Sequence, residues 1–335
     1  MQSARASART VNERAQLGSG AADGRPATVV ASIAVIVVNY GSTELIRGNL
    51  DVPRDLAGIR VVIVDNFSDA AERARISKLC AERGWTPVLL DSNAGFSAGV
   101  NAGMAAAAGH STDAYLVLNP DASIDVATVD ALHQHVTEHP MELVSPLITN
   151  PDGSTWSDGH AVQLQNGRMR RRPGLADIGP DEEPWIAGTC IALSEQLRAA
   201  IDGMPNGYFL YWEDVDLSVR VRRSGGQLRI REDLVATHDQ GRTQRDADGP
   251  KLSNIYYYYN CRNRLVFGSR FLSRRRQLNW ILSTPRQSWL ILLRGGGKRE
   301  LIRRPRALLA GLTGSVAGLM IMTRSLLRAD ADTRR

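Results

Sequence analysis

The chain has 335 residues, of which 43% are hydrophobic and 23% charged, proportions that exclude a fibrous or wholly disordered protein. Its net charge of +6 is unevenly spread, because residues 262–306 carry a net +12 and leave −6 on the remainder. This local basicity predicts contact with an anionic surface. Three scattered cysteines, Cys80, Cys190 and Cys261, argue against a disulfide framework and favour a reducing cytoplasm.

The first half of the chain alternates apolar runs with helical patterns. Residues 1–30, rich in Ala, Ser, Arg and Gly, are predicted to be a disordered tail without a secretory signal. Four strands are then predicted at 33–40, 59–66, 86–93 and 114–121, separated by helices at 43–50, 69–83 and 97–108. This order is typical of a mostly parallel α/β sheet.

Polar residues end three of these strands, in "VDN", "LDSN" and "LNPD". The carboxyl ends of parallel strands share one edge of a sheet, where ligands bind in open α/β folds. Asn119-Pro120-Asp121 is explained either as a turn or as part of such a site. "DSNAGFSAGVNAG" (91–103) predicts a glycine-rich entry into a helix, whose N-terminal N–H groups favour a phosphate.

The pattern changes after residue 140. "VSPLITNPDGSTWSDG" predicts a hairpin that turns at Asp152-Gly153, residues 165–184 predict a mobile loop, and 185–194 predict another strand. The stretch 211–220 places three carboxylates, Glu213, Asp214 and Asp216, at a predicted helix start. An ion pair between Asp216 and Arg220 would account for one of them.

Residues 271–323 combine arginines with two apolar stretches, the first interrupted at Pro285. We interpret them as a basic, apolar helical extension that lies on an anionic membrane surface, followed by a tail at 324–335. Two ordinary helices packed on the domain are the alternative, and Gly314-x-x-x-Gly318 has the spacing of a close helix contact. The Trp, Ile and Leu beside the arginines argue against nucleic acid as the partner.

These motifs together resemble the family 2 glycosyltransferases of the GT-A fold, over about residues 33–270. The resemblance rests on "VIVVNYGS", "VVIVDNFS", "NAGFSAGVNAG", "LVLNPDASI", "GYFLYWEDVDLSVRVRRSG" and "ATHDQG", in the expected order. "YYYYNCRNRL" favours the rhamnosyltransferase-like members. The resemblance implies a GT-A domain at 31–270, with a nucleotide-binding half at 31–140 and an acceptor half at 141–270.

The resemblance also implies the site residues. Asn119-Pro120-Asp121 matches the family's Asp-x-Asp motif with Asn in place of the first acid, so Asp121 and His238 are expected to hold Mg²⁺ or Mn²⁺ on the donor diphosphate. Asp214 matches the general base that a sugar hydroxyl requires. The nucleotide-sugar is expected at Tyr40, Asp65, Asn93, Gly95, Asn119 and Asp121. Gly188, Trp212 and Glu213 are expected on the acceptor side.

The implied function is inverting transfer of a sugar, by family preference L-rhamnose from dTDP-L-rhamnose, to a lipid-linked glycan or a cell-wall or surface polysaccharide. The enzyme is expected in the cytoplasm, peripheral at the inner face of the cell membrane. One alternative is another sugar, such as galactofuranose or an N-acetylhexosamine, from a UDP-sugar. Another is a non-catalytic scaffold that binds nucleotide-sugars, although both Asp121 and Asp214 are present.

Overall fold

A computed structural model describes residues 32–53, 56, 58–108, 111–239 and 252–332. The predicted tail at 1–30 lies outside these residues. The four predicted strands and three predicted helices of the first half are confirmed, with their ends shifted by a few residues. Their bounds are β1 Ser32–Asn39, α1 Thr43–Asn49, β2 Ile59–Asp65, α2 Ala70–Arg83, β3 Thr86–Leu89, α3 Phe96–Ala107 and β4 Thr112–Leu118.

The part of the chain between β4 and His238 adds strands of both directions. Its elements are β5 Ala122–Ser123, α4 Val126–Glu138, β6 Glu142–Thr149, β7 Thr155–Ser157, β8 His160–Gln163, β9 Met169–Arg171, β10 Glu182–Trp185, β11 Cys190–Ser194, α5 Glu195–Ile201, α6 Glu213–Arg223 and β12 Gln227–His238. In the described residues, nine strands form one sheet in the order β3-β2-β1-β4-β11-β6-β12-β5, with β7 paired to β6. Only β5, β7 and β11 of that sheet run against the others.

Both faces of the sheet are covered, which explains the continuous apolar runs. Alternate residues of β1 point to opposite sides: Ile33, Val35 and Val37 pack with α2 and α4. Ala34 and Ile36 pack with α3, α5 and α6 on the other face. The polar residues that follow β2, β3 and β4 consequently lie along one edge of this parallel part of the sheet, as the sequence predicts.

The predicted mobile loop at 165–184 is wrong, because this segment is ordered by β9, β10 and a 3₁₀ turn at Pro173–Leu175. With β8, these strands form a three-stranded antiparallel sheet. Two arginines of the segment are ion-paired: Arg171 binds both oxygens of Asp158, and Arg172 binds Glu182. The predicted strand at 185–194 is also interrupted, since residues 186–189 leave the sheet direction between β10 and β11.

Four helices follow β12: α7 Asn254–Phe271, α8 Arg274–Leu292, α9 Gly297–Arg303 and α10 Pro305–Asp332. Pro285 does not interrupt α8; in the turn before it, the hydroxyls of Ser283 and Thr284 both donate to the Trp280 carbonyl. The predicted tail at 324–335 is corrected too, because α10 continues to Asp332. Ser325 there donates to the Ser269 carbonyl on α7.

The glycines of α10 face α7, which confirms the close contact that their spacing predicts. A Cβ on Gly318 would lie 2.7 Å from the Arg262 carbonyl oxygen, and one on Gly314 would collide with the Tyr258 carbonyl. Trp280 of α8 and Met322 of α10 are fully buried in one cluster with side chains of β8, β10 and α6. The helices predicted as an extension therefore pack on the α/β domain.

The opposite face of α10 is apolar and exposed. Large side chains there are more than half exposed: Leu309, Leu312, Val316, Met320 and Leu327. Helices that pack in lipid have this arrangement, with small residues facing the protein and large apolar residues facing outward. Among the described residues, the segment 305–328 is the one long and apolar enough to cross a membrane by length and composition, with a third of its apolar window buried.

Candidate active site

The first group of predicted site residues follows β1 and β2. Tyr40 is 55% exposed at the end of β1. Asp65 ends β2 and is buried, with one carboxylate oxygen bound by Nε of Arg73 at 2.8 Å and the other by Nδ2 of Asn39 at 3.4 Å. The guanidinium of Arg73 also stacks on Phe67. Asp65 therefore anchors the loop after β2, and its carboxylate does not face open solvent.

The glycine-rich loop joins β3 to α3 in a left-handed turn. Asn93 accepts a hydrogen bond from the N–H of Gly95 at 3.0 Å, and Gly95 has φ +89°. A Cβ on Gly95 would lie 2.6 Å from the Phe209 carbonyl oxygen, so glycine is required for this close approach. Asn66 clamps the loop from both sides, accepting from the Ala94 N–H at 2.8 Å and donating to the Gly95 carbonyl.

Asn119-Pro120-Asp121 forms the turn between β4 and β5, as the simpler sequence interpretation states. The N–H of Ala122 closes the turn on the Asn119 carbonyl at 3.0 Å. The Asp121 side chain points inward and is 2% exposed. β12 runs beside β5, pairing His238 with Ala122, and this register places Nε2 of His238 3.1 Å from Oδ1 of Asp121.

Asp121 and His238 fit a divalent cation. Two ligands at right angles on an octahedral ion with bonds of roughly 2.1 Å lie about 3.0 Å apart, close to the observed 3.1 Å. Nδ1 of His238 is buried and has no hydrogen-bond partner in the described part of the chain. No third His, Cys, Asp or Glu of the described residues joins them, so phosphate and water oxygens would complete the coordination.

Glu213 and Asp214 occupy the first turn of α6. Oδ2 of Asp214 accepts a hydrogen bond from the Gly188 N–H at 3.3 Å, and Oδ1 accepts from the Val215 N–H at 2.9 Å. A Cβ on Gly188 would lie 3.5 Å from Cβ of Asp214. Oε2 of Glu213 is buried without a partner in the described structure.

Burial raises the pKa of these two carboxyl groups to different extents. It raises the pKa of Asp214, while hydrogen bonds from the backbone at Gly188 and Val215 act in the opposite direction. Burial raises the pKa of Glu213 further, because the Asp214 charge adds to the effect. At neutral pH the shared charge therefore resides on Asp214, and Glu213 holds its proton.

The backbone just before this pair is strained. Tyr211 and Trp212 have φ +67° and +74°, in a region that non-glycine residues rarely adopt. Asn263, fully buried on α7, donates to the carbonyls of both Leu210 and Tyr211 at 2.9 Å. We call residues 210–212 the elbow, since they turn the chain into α6. Backbone strain that the surroundings hold in place is typical of functional sites.

Asp216 has a structural role, and the predicted pair with Arg220 is corrected. Its Oδ2 binds Nη1 of Arg270 at 2.9 Å, while Arg220 donates to the Ile201 carbonyl. Arg270 also stacks on the Tyr208 ring and donates to the Asn206 carbonyl. Residues 206–216 are thereby tied to α7.

One loop joins the two halves of the site. Thr189 accepts a hydrogen bond from the Asn119 N–H at 2.9 Å, and its neighbour Gly188 donates to Asp214. The structure thus brings together Asn119, Asp121, His238, Gly188 and Asp214. Tyr40, Asp65, Asn93 and Gly95 lie along the edge toward β2 and β3.

Other residues depart from expectation or were missed. The Trp212 side chain is 4% exposed and packs on Phe267 and Trp280, so it supports the site from behind. Asn66, Thr189 and Asn263 hold the site but were not singled out from the sequence. They lie within or beside the motifs "VDNFS", "AGTC" and "CRNRL", and only their tertiary partners show what they do.

Residues 34–197 match the model of glycosyl transferase family 2. These residues form a family 2 glycosyltransferase domain. The family 2 domain lies in a chain that is 25% identical over 257 residues to the low-salt glycan biosynthesis hexosyltransferase Agl10 of Haloferax volcanii, covering 73% of this chain and 76% of that protein.

A second relative is the N-acetylglucosaminyl-diphospho-decaprenol L-rhamnosyltransferase of Mycobacterium tuberculosis, 29% identical over 130 residues, which are 34% of this chain and 42% of that protein. Two solved structures share the fold. GalNAc-T7 with UDP, GalNAc and Mn²⁺ gives a TM-score of 0.55 at 14% identity, over 84% of this chain and 55% of that one. The mannosyltransferase PcManGT of Pyrobaculum calidifontis with GDP-Man and Mn²⁺ gives 0.50 at 15% identity, over 91% of both chains. The family 2 domain therefore has the GT-A fold.

Proposed function

We propose that this chain is an inverting glycosyltransferase that moves a sugar from a nucleotide-sugar to a lipid-linked glycan acceptor. One observation carries the proposal: the loop at Gly188-Thr189 binds Asp214 on one side and Asn119 on the other. It links a carboxylate suited to be a base with the turn that holds Asp121. An inverting transfer needs a base and a leaving-group site placed together in this way.

Asp214 acts as the general base in this proposal. It is the member of the carboxyl pair that is ionised at neutral pH, and its raised pKa suits a proton acceptor. It takes the proton of the acceptor hydroxyl as that oxygen attacks the anomeric carbon opposite the leaving nucleoside diphosphate. Glu213, neutral beside it, leaves the negative charge on Asp214. One base and one displacement give inversion without a covalent intermediate.

The donor binds along the edge formed by Tyr40, Asn93, Gly95 and Asn119. The N-terminus of α3 begins at this edge and favours phosphate oxygens. Asp121 and Nε2 of His238 would hold Mg²⁺ or Mn²⁺, which offsets the charge on the departing diphosphate. The Mn²⁺ named with both structural neighbours agrees with this assignment.

The donor is proposed to be dTDP-L-rhamnose, in line with the rhamnosyltransferase among the relatives. A UDP-sugar that carries galactofuranose or an N-acetylhexosamine is the alternative donor. A non-catalytic scaffold would bind nucleotide-sugar without consuming it. The presence of both Asp121 and Asp214 argues against a scaffold, because a scaffold does not need a base placed beside the donor site.

The membrane role is proposed from the C-terminal helices. Besides the apolar face of α10, Leu282 and Trp289 of α8 are 79% and 42% exposed. Arginines near such surfaces are attracted to anionic lipid headgroups. The decaprenol-linked acceptor in the name of one relative fits an enzyme at the inner face of the membrane. We therefore propose peripheral binding there, where a lipid-linked acceptor presents its sugar.

The test is a panel of nucleotide-sugars, assayed for binding and for turnover with and without Mn²⁺. The proposal expects one donor to be consumed, and Asp214→Asn to reduce turnover by roughly 10²–10⁴-fold. Donor affinity should stay unchanged, because the substitution keeps the shape of the side chain. The melting temperature should fall slightly, because an amide nitrogen cannot accept one of the two backbone hydrogen bonds that Asp214 receives. A variant with near-wild-type turnover would contradict the role of Asp214, and a protein that binds but consumes no donor would be a scaffold.

A further inference from the structure

A cavity of about 350 Å³ lies between the turn that follows β8 and the helices α7 and α8. Its wall includes four arginines, Arg168, Arg264, Arg286 and Arg294, and no acidic residue. In the described part of the chain, none of the four has a carboxylate within ion-pair distance. Four arginines without a carboxylate partner around one cavity favour an anionic ligand there.

Arg264 is the least expected of them, because its side chain is 1% exposed. A buried charge is ordinarily paired. Its guanidinium meets only neutral groups: Nη1 donates to the Asn166 carbonyl at 3.0 Å, and Nη2 donates to Oγ1 of Thr284 at 2.7 Å. Nε is buried and has no partner in the described structure. Burial lowers the pKa of Arg264 to about 10, which leaves it charged at neutral pH.

The surrounding structure holds Arg264 in place. Its guanidinium lies 5.1 Å from the Trp280 ring centroid. Gly167, with φ +74°, brings the β8–β9 turn over both side chains, and a Cβ there would lie 2.8 Å from Trp280 and 3.0 Å from Cγ of Arg264. The cation is therefore fixed in a preformed wall and is not a mobile surface charge.

The cavity borders the proposed acceptor side and also the proposed membrane face. Trp212, part of the elbow before Asp214, contributes to its wall. Leu290 contributes from α8 and is 40% exposed beside Trp289. Residues of the donor motifs do not line it. A ligand in this cavity would have an anionic group among the arginines and an apolar group toward the exposed side of α8.

We infer that the cavity binds the diphosphate that joins the acceptor sugar to its lipid. This inference rests on the proposed function and names the acceptor's anchoring group. Arginine guanidinium groups bind phosphate oxygens with two parallel hydrogen bonds, and four of them match the several oxygens of a diphosphate. The same diphosphate chemistry could come from a soluble molecule, so the experiment compares the two sources.

The probes are farnesyl diphosphate below its micelle concentration, farnesol and inorganic diphosphate. Binding to the full chain is measured by calorimetry in EDTA without donor, so that metal-dependent binding at Asp121 does not contribute. Farnesyl diphosphate should bind more tightly than the other two probes. Arg286→Gln and Arg168→Gln, both at exposed positions, should each weaken it about tenfold. Arg275→Gln removes the same charge from α8 outside the cavity and should change affinity less than about twofold.

Three results would overturn the inference: unchanged affinity in Arg286→Gln and Arg168→Gln, an equal loss in Arg275→Gln, or inorganic diphosphate binding as tightly as farnesyl diphosphate. The last result would assign the cavity to a soluble diphosphate. Because the assay contains no donor and no sugar, its outcome is independent of catalysis. If the chain binds farnesyl diphosphate here but consumes no nucleotide-sugar, the diphosphate site is supported and the proposed transferase activity is contradicted.

Discussion

Nε2 of His238 lies 3.1 Å from Oδ1 of Asp121, a contact between residues 117 positions apart in the chain. β5 and β12 bring them together through a register of only two residue pairs. The pair is buried at the turn where the donor diphosphate is proposed to lie. It is therefore the place where metal dependence can be tested residue by residue.

Asp121→Asn and His238→Gln should each weaken nucleotide-sugar binding in Mn²⁺ by at least about tenfold, because each removes a metal ligand. Binding of the free nucleoside, which has no diphosphate, should not change. Calorimetry with both ligands, with and without Mn²⁺, measures the difference. Equal donor affinity of the wild-type chain with and without metal would contradict the assignment.

The turnover number should rise with pH as Asp214 loses its proton, and the rise should lie above the ordinary range of aspartate because burial raises the pKa of Asp214. Glu213→Gln should leave this rising limb of the pH–rate profile at the same pH. Glu213 is still neutral while Asp214 ionises, so its charge does not contribute. The measurement is kcat at saturating donor between about pH 5 and 8. A limb that moves to lower pH in Glu213→Gln would show that both carboxylates share the role.

The same variant gives a stability control. A carboxyl group whose pKa is raised by folding stabilises the protein below its unfolded pKa, and that stability is lost as pH rises through the folded pKa. Wild-type protein should therefore lose melting temperature as the pH rises between the unfolded pKa of Glu213, 4.5, and its folded pKa of about 8. Glu213→Gln should lose less over the same range.

Asn263→Leu should lower kcat without changing donor affinity. It leaves the carbonyls of Leu210 and Tyr211 without their side-chain donor, at a cost of roughly 1–3 kcal/mol for unpaired buried groups, and it releases the elbow that directs Asp214. Asn101→Leu is the matched control, because Asn101 binds both backbone groups of Met204 away from the elbow. Both variants should melt earlier, but only Asn263→Leu should lose turnover.

The exposed face of α10 should carry the membrane contact. Replacing Val316 and Met320 together by Glu should reduce co-sedimentation with anionic vesicles by more than about tenfold, since each buried apolar side chain contributes roughly 1.5–3 kcal/mol. Lys78→Glu, on α2, makes the same change in net charge at a distant exposed position. If the double variant pellets as well as Lys78→Glu, the helix face is not the contact.

Local patterns sufficed to predict the elements from β1 to β4. β1, β2 and β4 are continuous apolar runs and α1 to α3 lie between them, so short-range sequence determines their type. The family resemblance also implied that Asp121, His238, Gly188 and Asp214 belong to one site. Their contacts support that expectation, although spacing along the chain carries no information on a separation of 117 residues.

Three features that the sequence patterns predict wrongly are corrected by the three-dimensional structure. Asp216 has Arg220 at helical spacing but pairs with Arg270, which approaches from α7. The polar segment at 165–184 is ordered because Arg171 pairs with Asp158 and Arg172 pairs with Glu182. Pro285 stays within α8, which continues from Arg274 to Leu292. The first two differences depend on partners that other elements of the fold provide.

The glycine contact between α10 and α7 also bears on the order in which the molecule is completed. A chain leaves the ribosome with its N-terminal part first, and domains fold as they emerge. The strands that border the donor edge end at His238, before α7 begins. Asn263 can support the elbow only after α7 is made, and α7 receives the backbone of Gly314 and Gly318 only after α10 follows. During synthesis, the elbow before the proposed base therefore gains its support from Asn263 later than the strands that flank the Asn119-Pro120-Asp121 turn are made.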